Sequence, residues 1–591
     1  MSTTASIETF LRTQFDYLIV GGGTAGLVLA ARLSEDEQVQ VGVIEAGSCK
    51  FDDPTIDTTD GFAAAFQHPD YDWMLQSTPQ TGCQGRIFHV PRGKVLGGSS
   101  AINFMLYCRP AAEDINQWGR MGNDGWSWDE LAPYYQKSNP IGGDESQTKL
   151  PGSTTDCPVS LSLPQTRHVF EERLTDAFTQ ITQLPAASHP WDGDIMGSYQ
   201  LLSALTSNGT GDGQPRRAYA ASGYLRPSLH RTNLCVLTEA VACKVLLDRK
   251  SSSPIACGIQ LWHQGTHYEV TARQEIIISA GSVKSPQLLE LSGIGDPAVL
   301  SSAGIDCIHP MPGVGEQLHD HPYTTVTYAV PPSQRTTDSM CQDPSGHERS
   351  DSSDADSPFR GPWSLCGFVG PDQLAAGSWI HPETHGQSTK RRSQNTPVIQ
   401  LLGMGAYVQP GAAGTDYCPA NVDRPACYTF MVSATHPRSR GSCHVRTADP
   451  LAAPALDIGL LSYVEDAELL AAGIEFANRV FQSAGLTSPS RLNPPPEMDV
   501  DDAAQVRTYV QAATSSFHHL AGTCSMGRVV DERFRVRGIS RLRVVDASVM
   551  PSPISGNIMA TVYGIAERAV EFILEDRRMG MCRGNYYSWV G

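Results

Sequence analysis

Phe15-Asp-Tyr-Leu-Ile-Val20 followed by Gly21-Gly22-Gly23-Thr24-Ala25-Gly26-Leu27-Val28-Leu29-Ala30-Ala31-Arg32-Leu33-Ser34 is the stretch on which the fold turns. Its first six residues are short and mostly apolar and read as a buried strand. From Thr24 to Ser34 the residues Leu27, Ala30, Ala31 and Leu33 supply the apolar face of a helix. Val39 to Ile44 reads as a second strand. A β-α-β unit of this kind implies a parallel sheet with a helix packed on it, and so an α/β fold class.

Between strand and helix, Gly21, Gly23 and Gly26 form a G-x-G-x-x-G turn. Missing side chains there let the backbone approach a pyrophosphate at the positive end of a helix. Glu45 stands nineteen residues after Gly26, at the end of the second strand. That spacing sets a carboxylate where an adenosine ribose offers two hydroxyls, and the same charge would repel the 2'-phosphate of NADP. The motif by itself leaves NAD and FAD open.

The chain has 591 residues, enough for two domains or for one carrying a large insertion. Apolar residues make up 40% and charged residues 18%, as in ordinary globular proteins. A net charge of -18 excludes nucleic acid and anionic membrane as expected partners, since both would repel it. No run of about 18 apolar residues could span a bilayer. The N-terminal residues lack the apolar core of a secretory signal, which predicts an intracellular, cytoplasmic protein. Fifteen cysteines without C-x-x-C pairs read as mostly reduced and structural, and no metal site is expected. Tyr463 to Phe481 and Asn557 to Leu574 carry helical periodicity, Cys235 to Leu246 and Leu542 to Val545 read as strands, and Pro331 to Pro358 and Glu383 to Asn395 read as polar surface insertions.

Arg92-Gly-Lys-Val-Leu-Gly-Gly-Ser-Ser-Ala-Ile-Asn103 is a second glycine-rich stretch, which an NAD-dependent dehydrogenase does not need. Gly281-Ser-Val-Lys-Ser-Pro-Gln-Leu-Leu-Glu-Leu-Ser-Gly-Ile-Gly295 follows the apolar strand Ile276 to Ala280, and Pro312-Gly-Val-Gly-Glu-Gln-Leu-His-Asp-His-Pro322 comes next. In that order these segments resemble the signatures of the glucose–methanol–choline (GMC) oxidoreductase family. The similarity continues through Pro437-Arg-Ser-Arg-Gly441, Asp449-Pro450 and the block from His518 to Leu574. The resemblance implies a Rossmann-like FAD-binding domain assembled from residues 1–158, 224–320 and 515–591. It also implies an inserted sheet-and-helix substrate domain from residues 159–223 and 321–514.

The resemblance further implies which residues hold the cofactor. From the first loop it assigns Gly21, Gly23, Thr24, Ala25, Gly26, Glu45 and Ala46. From the second it assigns Val95, Gly98, Ser99, Asn103, Phe104, Met105 and Leu106. Ala242 would meet the adenine through its backbone, and Asp546, Ala547 and Ile558 would contact the flavin. Tyr71-Asp-Trp73 matches an early family segment but serves equally well as core. In some relatives a histidine four residues after the Gly-Gly pair attaches the flavin covalently; here that position is Ile102, so FAD is expected to be non-covalent.

His519 precedes Leu520-Ala-Gly-Thr523 in a His-x-x-Gly-Thr pattern that matches the family's catalytic histidine. Such a residue would take the hydroxyl proton of an alcohol while the carbon delivers hydride to flavin N5, giving an aldehyde or ketone. His518 is the rival; neighbours on an extended segment point to opposite faces, so only one of the two is expected to face the flavin. Asn557 matches the position that bonds the substrate oxygen, and as the first residue of the last helix it would also suit an N-cap. Electrons would pass on to dioxygen or another acceptor. The expected substrate is a small-molecule alcohol, by analogy an aromatic or polyketide-like one of secondary metabolism. A second reading keeps FAD as scaffold and uses His519 for non-redox cyclisation or elimination. An NAD-dependent dehydrogenase leaves the signatures at Arg92–Asn103 and Gly281–Gly295 unexplained.

Overall fold

Phe15–Val20 lies inside a sheet, flanked in parallel by Val41–Ile44 on one side and by Thr266–Ile278 on the other, with Tyr17 opposite Val41 and Val20 opposite Ile278. The computed structural model describes residues 4–59, 64–141, 157–163, 169–187, 189–206, 215–250, 253–331, 363–375, 396–408, 425–487 and 490–582. The two polar stretches read as insertions fall outside these residues, Pro331 excepted.

This first sheet runs in the order Leu234–Leu237, Val41–Ile44, Phe15–Val20, Thr266–Ile278, Ile255–His263, Ala240–Asp248, and Leu542–Val544 pairs with Thr266–Ile278. Strands far apart in sequence share it because Phe15–Val20, Val41–Ile44 and the Ile276–Ile278 end of the long strand are mostly apolar and buried, fit to be covered on both faces. Thr24–Leu33 is a helix buried on nearly all sides. The C-terminal helix Met559–Cys582 packs against it, and Arg32 donates to buried Glu567 at 3.0 Å while Tyr224 donates to the same carboxylate at 2.9 Å. Removing Arg32 would leave the buried Glu567 carboxylate without its cation, at a cost of roughly 3–5 kcal/mol.

The second large sheet is antiparallel, in the order Arg491–Asn493, Pro322–Ala329, Cys427–Ala434, Ile399–Met404, Trp363–Val369, Gly197–Gln200. Val464–Ser483 packs across it as a long helix with Leu470, Ile474, Phe476 and Phe481 buried. A small pairing of Leu106–Tyr107 with Leu202–Ser203 ties the residues just after the second glycine-rich stretch to the segment after residue 159.

Two local expectations change. The strand read over Cys235 to Leu246 is two strands, because Glu239 takes a left-handed backbone (φ 57°) and the chain leaves Val41–Ile44 to pair with Ile255–His263. The last helix begins at Met559, and its first turn closes with Val562 N–H donating to Ile558 C=O at 3.0 Å. Asn557 therefore stands ahead of the helix and does not cap it. Among the described residues no helix is long and apolar enough to cross a membrane.

Candidate active site

Two antiparallel passages set up the centre of the molecule. His319 and Ala521 exchange backbone hydrogen bonds at 3.0 Å, Phe517 N–H donates to His321 C=O at 3.0 Å, and Ser515–Ser516 pairs with Pro322–Tyr323. The end of the second sheet thus runs beside the segment that leads into the first. Asp320 joins the two: its Oδ1 accepts the backbone N–H of both His321 and His519 at 2.8 Å, and its Oδ2 accepts the Ser516 hydroxyl. Burial pushes its carboxyl up to about 6, against the hydrogen bonds that favour the charged form.

One cavity is lined both by Glu45 and by His519 and Asn557. Glu45 is buried, its Oε2 accepting Gly22 N–H and its Oε1 accepting Gly47 N–H, each at 2.7 Å. Burial raises its carboxyl to about 7. Ala46 and Ala242 line the wall beside it. Next comes the N-terminus of Thr24–Leu33, where Gly23 provides no side-chain cap, so the first N–H groups of a ten-residue helix face the cavity wall formed by Gly21, Gly23, Thr24 and Ala25. The two glycine loops meet here. A Cβ on Gly98, whose φ is +52°, would lie 2.8 Å from Gly23 Cα, so no other residue allows this approach.

Gly98, Ser99, Asn103, Phe104 and Leu106 continue the wall, as do Asp546, Ala547 and Ile558. Asp546 also braces the second signature, accepting Gly281 N–H at 2.9 Å and the Ser285 hydroxyl at 2.6 Å through Oδ2. Gly26, Val95 and Met105 are not on the wall. Each has a packing role: a Cβ on Gly26 would meet Gly21 O at 1.9 Å, and Val95 and Met105 are buried in the core.

On the same wall His519 Nε2 lies 3.1 Å from Asn557 Nδ2. Burial, with the neighbouring rings of His321 and His518 and the Arg92 guanidinium, holds the His519 imidazole well below its ordinary range, so it is neutral. Phe517 stacks on its ring at 5.3 Å with 9° between planes. Asn557 Oδ1 is buried without a hydrogen-bond partner. His518 lines the cavity too, against the expected alternation, because it takes a left-handed backbone (φ 62°). Its own pKa is pushed down to about 3, first by burial and then by Arg92 and His89.

The sequence reading omitted several wall residues. Phe66, Arg92, Lys284, Met431 and Phe517 belong to the cavity, as does Trp73, whose ring carries Lys284 Nζ 4.2 Å from its centroid. Burial lowers that lysine to about 8. Lys284 and Arg92 sat inside quoted segments; Phe66 and Met431 had no local signal.

A dinucleotide fits these residues: one cavity holds a carboxylate for a ribose, an uncapped helix terminus for a pyrophosphate, and a neutral base beside an unpartnered amide oxygen. Comparison with known proteins agrees. Residues 15–323 and 437–566 match the two parts of the GMC oxidoreductase family. Dehydrogenase mpl7 of Monascus purpureus is 42% identical, the match covering 98% of this chain and 99% of the relative. Pyridoxine 4-oxidase from Mesorbium loti superposes with a TM-score of 0.76 at 27% identity, over 94% of this chain and 99% of that one. An FAD-dependent oxidoreductase from Chaetomium thermophilum does so with a TM-score of 0.80 at 26% identity, over 96% and 100%. With this match from near its start to the C-terminal helix, the chain belongs to the GMC oxidoreductases, a family of FAD-using enzymes acting on CH–OH donors.

Proposed function

We propose that the protein oxidises a small uncharged alcohol to its aldehyde or ketone, with His519 as the base and Asn557 as the donor that holds the substrate oxygen. The observation that carries this reading is the 3.1 Å approach of His519 Nε2 and Asn557 Nδ2 on the wall of the cavity. An alcohol oxygen set between them would donate its proton to Nε2 and accept from Nδ2. Burial keeps His519 neutral and ready to take that proton. FAD, held by Glu45, the uncapped helix terminus and the wall from Gly98 to Asn103, supplies the hydride acceptor. Dioxygen or another acceptor completes the cycle.

Phe66, Phe104, Leu106, Met431 and Phe517 are among the apolar residues of the wall. The acidic wall residues among those described are Glu45 and Asp546, and the latter is engaged by Gly281, Ser285 and Ser548. A cationic substrate would find no free counter-charge beside His519, whereas a flat, uncharged one would lose little on desolvation. This supports an aromatic alcohol, consistent with a role in secondary metabolism. Mixing the oxidised holoenzyme with aryl, aliphatic and sugar alcohols without oxygen tests the reading. Loss of the flavin's yellow absorbance with an aryl alcohol is expected; no loss with any alcohol would leave acid–base chemistry without net oxidation.

A further inference from the structure

We infer that His321 is a positioning residue that fixes the tautomer of His519, leaving the lone pair on the nitrogen that meets the substrate. The inference rests on the reading of His519 as base. His321 Nδ1 and His519 Nδ1 lie 2.8 Å apart, with the rings nearly perpendicular at 86°. Two imidazole nitrogens at that distance attract only if one carries hydrogen and the other a lone pair. The question is which.

Asn557 answers it. Its amide Nδ2 lies 3.1 Å from His519 Nε2, and an amide nitrogen only donates, so Nε2 must offer a lone pair. Neutral His519 therefore carries its hydrogen on Nδ1 and donates it to His321 Nδ1, which must be bare. His321 is 3% exposed and keeps its own hydrogen on Nε2, which has no close hydrogen-bond partner.

Three contacts thus hold one ring. Asp320 Oδ1 fixes the backbone nitrogens of both histidines at 2.8 Å, Phe517 fixes the ring plane, and His321 fixes the proton. When Nε2 takes the hydroxyl proton, the Nδ1–H stays where it is and His321 Nδ1 continues to accept it, now from a cation. Without that acceptor the ring could rest with hydrogen on Nε2, where it cannot serve as base.

The holoenzyme labelled with ring-¹⁵N histidine provides the test, the His519 signals being assigned by their loss in His519→Asn. A protonated Nδ1 and a bare Nε2 on His519 are expected; hydrogen on Nε2 would overturn the inference whatever the turnover. Two variants give a second readout. His321→Leu removes the acceptor while keeping bulk and is expected to populate the other tautomer and slow flavin bleaching by about 10- to 100-fold, the usual loss when an orienting partner is removed. His321→Asn sets an amide oxygen near the place of Nδ1 and is expected to restore most of the rate. An unchanged rate in His321→Leu, or an Asn variant as slow as the Leu variant, would also overturn it. Bleaching at the wild-type rate in His519→Ala would instead remove the catalytic reading, while the nitrogen signals would still report the tautomer.

Discussion

Asp320 Oδ1 accepts the backbone N–H of His519 at 2.8 Å across 199 residues of chain, and this bond sets where the imidazole begins. The same oxygen holds His321, so one buried carboxylate aligns two rings. Asp320→Asn keeps an acceptor oxygen and removes a charge that burial disfavours, so folding and flavin content are expected to survive. Asp320→Ala orphans two buried N–H groups at about 1–3 kcal/mol each. It is expected to melt several degrees lower and to bleach its flavin at least tenfold more slowly with an alcohol substrate. Thermal denaturation and anaerobic stopped-flow absorbance compare the pair.

His519→Ala is expected to retain FAD and to slow substrate-dependent bleaching by roughly 10²- to 10⁴-fold, the usual worth of a positioned acid–base group. His518→Ala should slow it far less, although both rings line the cavity. Equal losses in the two variants would mean that His518, not only His519, handles the proton.

The depressed pKa of His519 has a direct kinetic consequence. A base loses activity as pH falls through its pKa, and burial has moved that pKa well below the ordinary 6.5. The bleaching rate at saturating substrate should therefore stay level from neutral pH to well below 6.5. His518 gives the matching stability effect. Its folded pKa is about 3 against an ordinary value of 6.5, so its neutral form contributes stability above 6.5 that is lost as pH falls toward 3. The stability difference between wild type and His518→Gln should shift in favour of the variant across that window; chemical denaturation at several pH values measures it.

Glu45→Ala is expected to lower the flavin content of the purified protein without changing the bleaching rate of the molecules that keep FAD, because Glu45 bonds the backbone of Gly22 and Gly47 whereas His519 contacts Asn557 and His321. Two backbone N–H groups, of Gly22 and Gly47, would also lose their acceptor. Glu45→Gln keeps one acceptor oxygen and should retain more flavin than the alanine variant. Absorbance ratios after gel filtration decide this.

Acid denaturation is expected to release the flavin into the supernatant. The position from which some relatives form a covalent bond is Ile102, a buried side chain on the cavity wall with no nucleophilic atom. Cys108 is buried and its thiol is raised to about 11, chiefly by burial, which leaves it protonated and unreactive. A yellow pellet, or an intact mass increased by one flavin, would contradict the expectation.

Features set by neighbours in sequence were legible from the chain alone. The strand at Phe15–Val20, the glycine turn, the helix after it and Glu45 at the end of the next strand all follow from local periodicity, from the steric freedom of glycine and from a fixed spacing. His519 and Asn557 were legible as members of motifs. Their approach to 3.1 Å was not, nor was the contact of His519 with His321, because residues 38 and 198 positions apart meet only when separate segments enter a common pair of sheets. Local rules failed where tertiary contacts paid a backbone cost. Alternation put His518 away from the cavity, but a left-handed φ turned it in; continuity joined Cys235 to Leu246, but the same kind of turn at Glu239 split the strand. Gly26, Val95 and Met105 stand in the cofactor motifs but lie off the cavity wall, packed in the interior behind it. The sequence determined which chemical groups were present and how most short segments would fold; which nitrogen of His519 is free to act depended on an asparagine at one side of the ring and a second histidine at the other, and only the assembled structure brings those together.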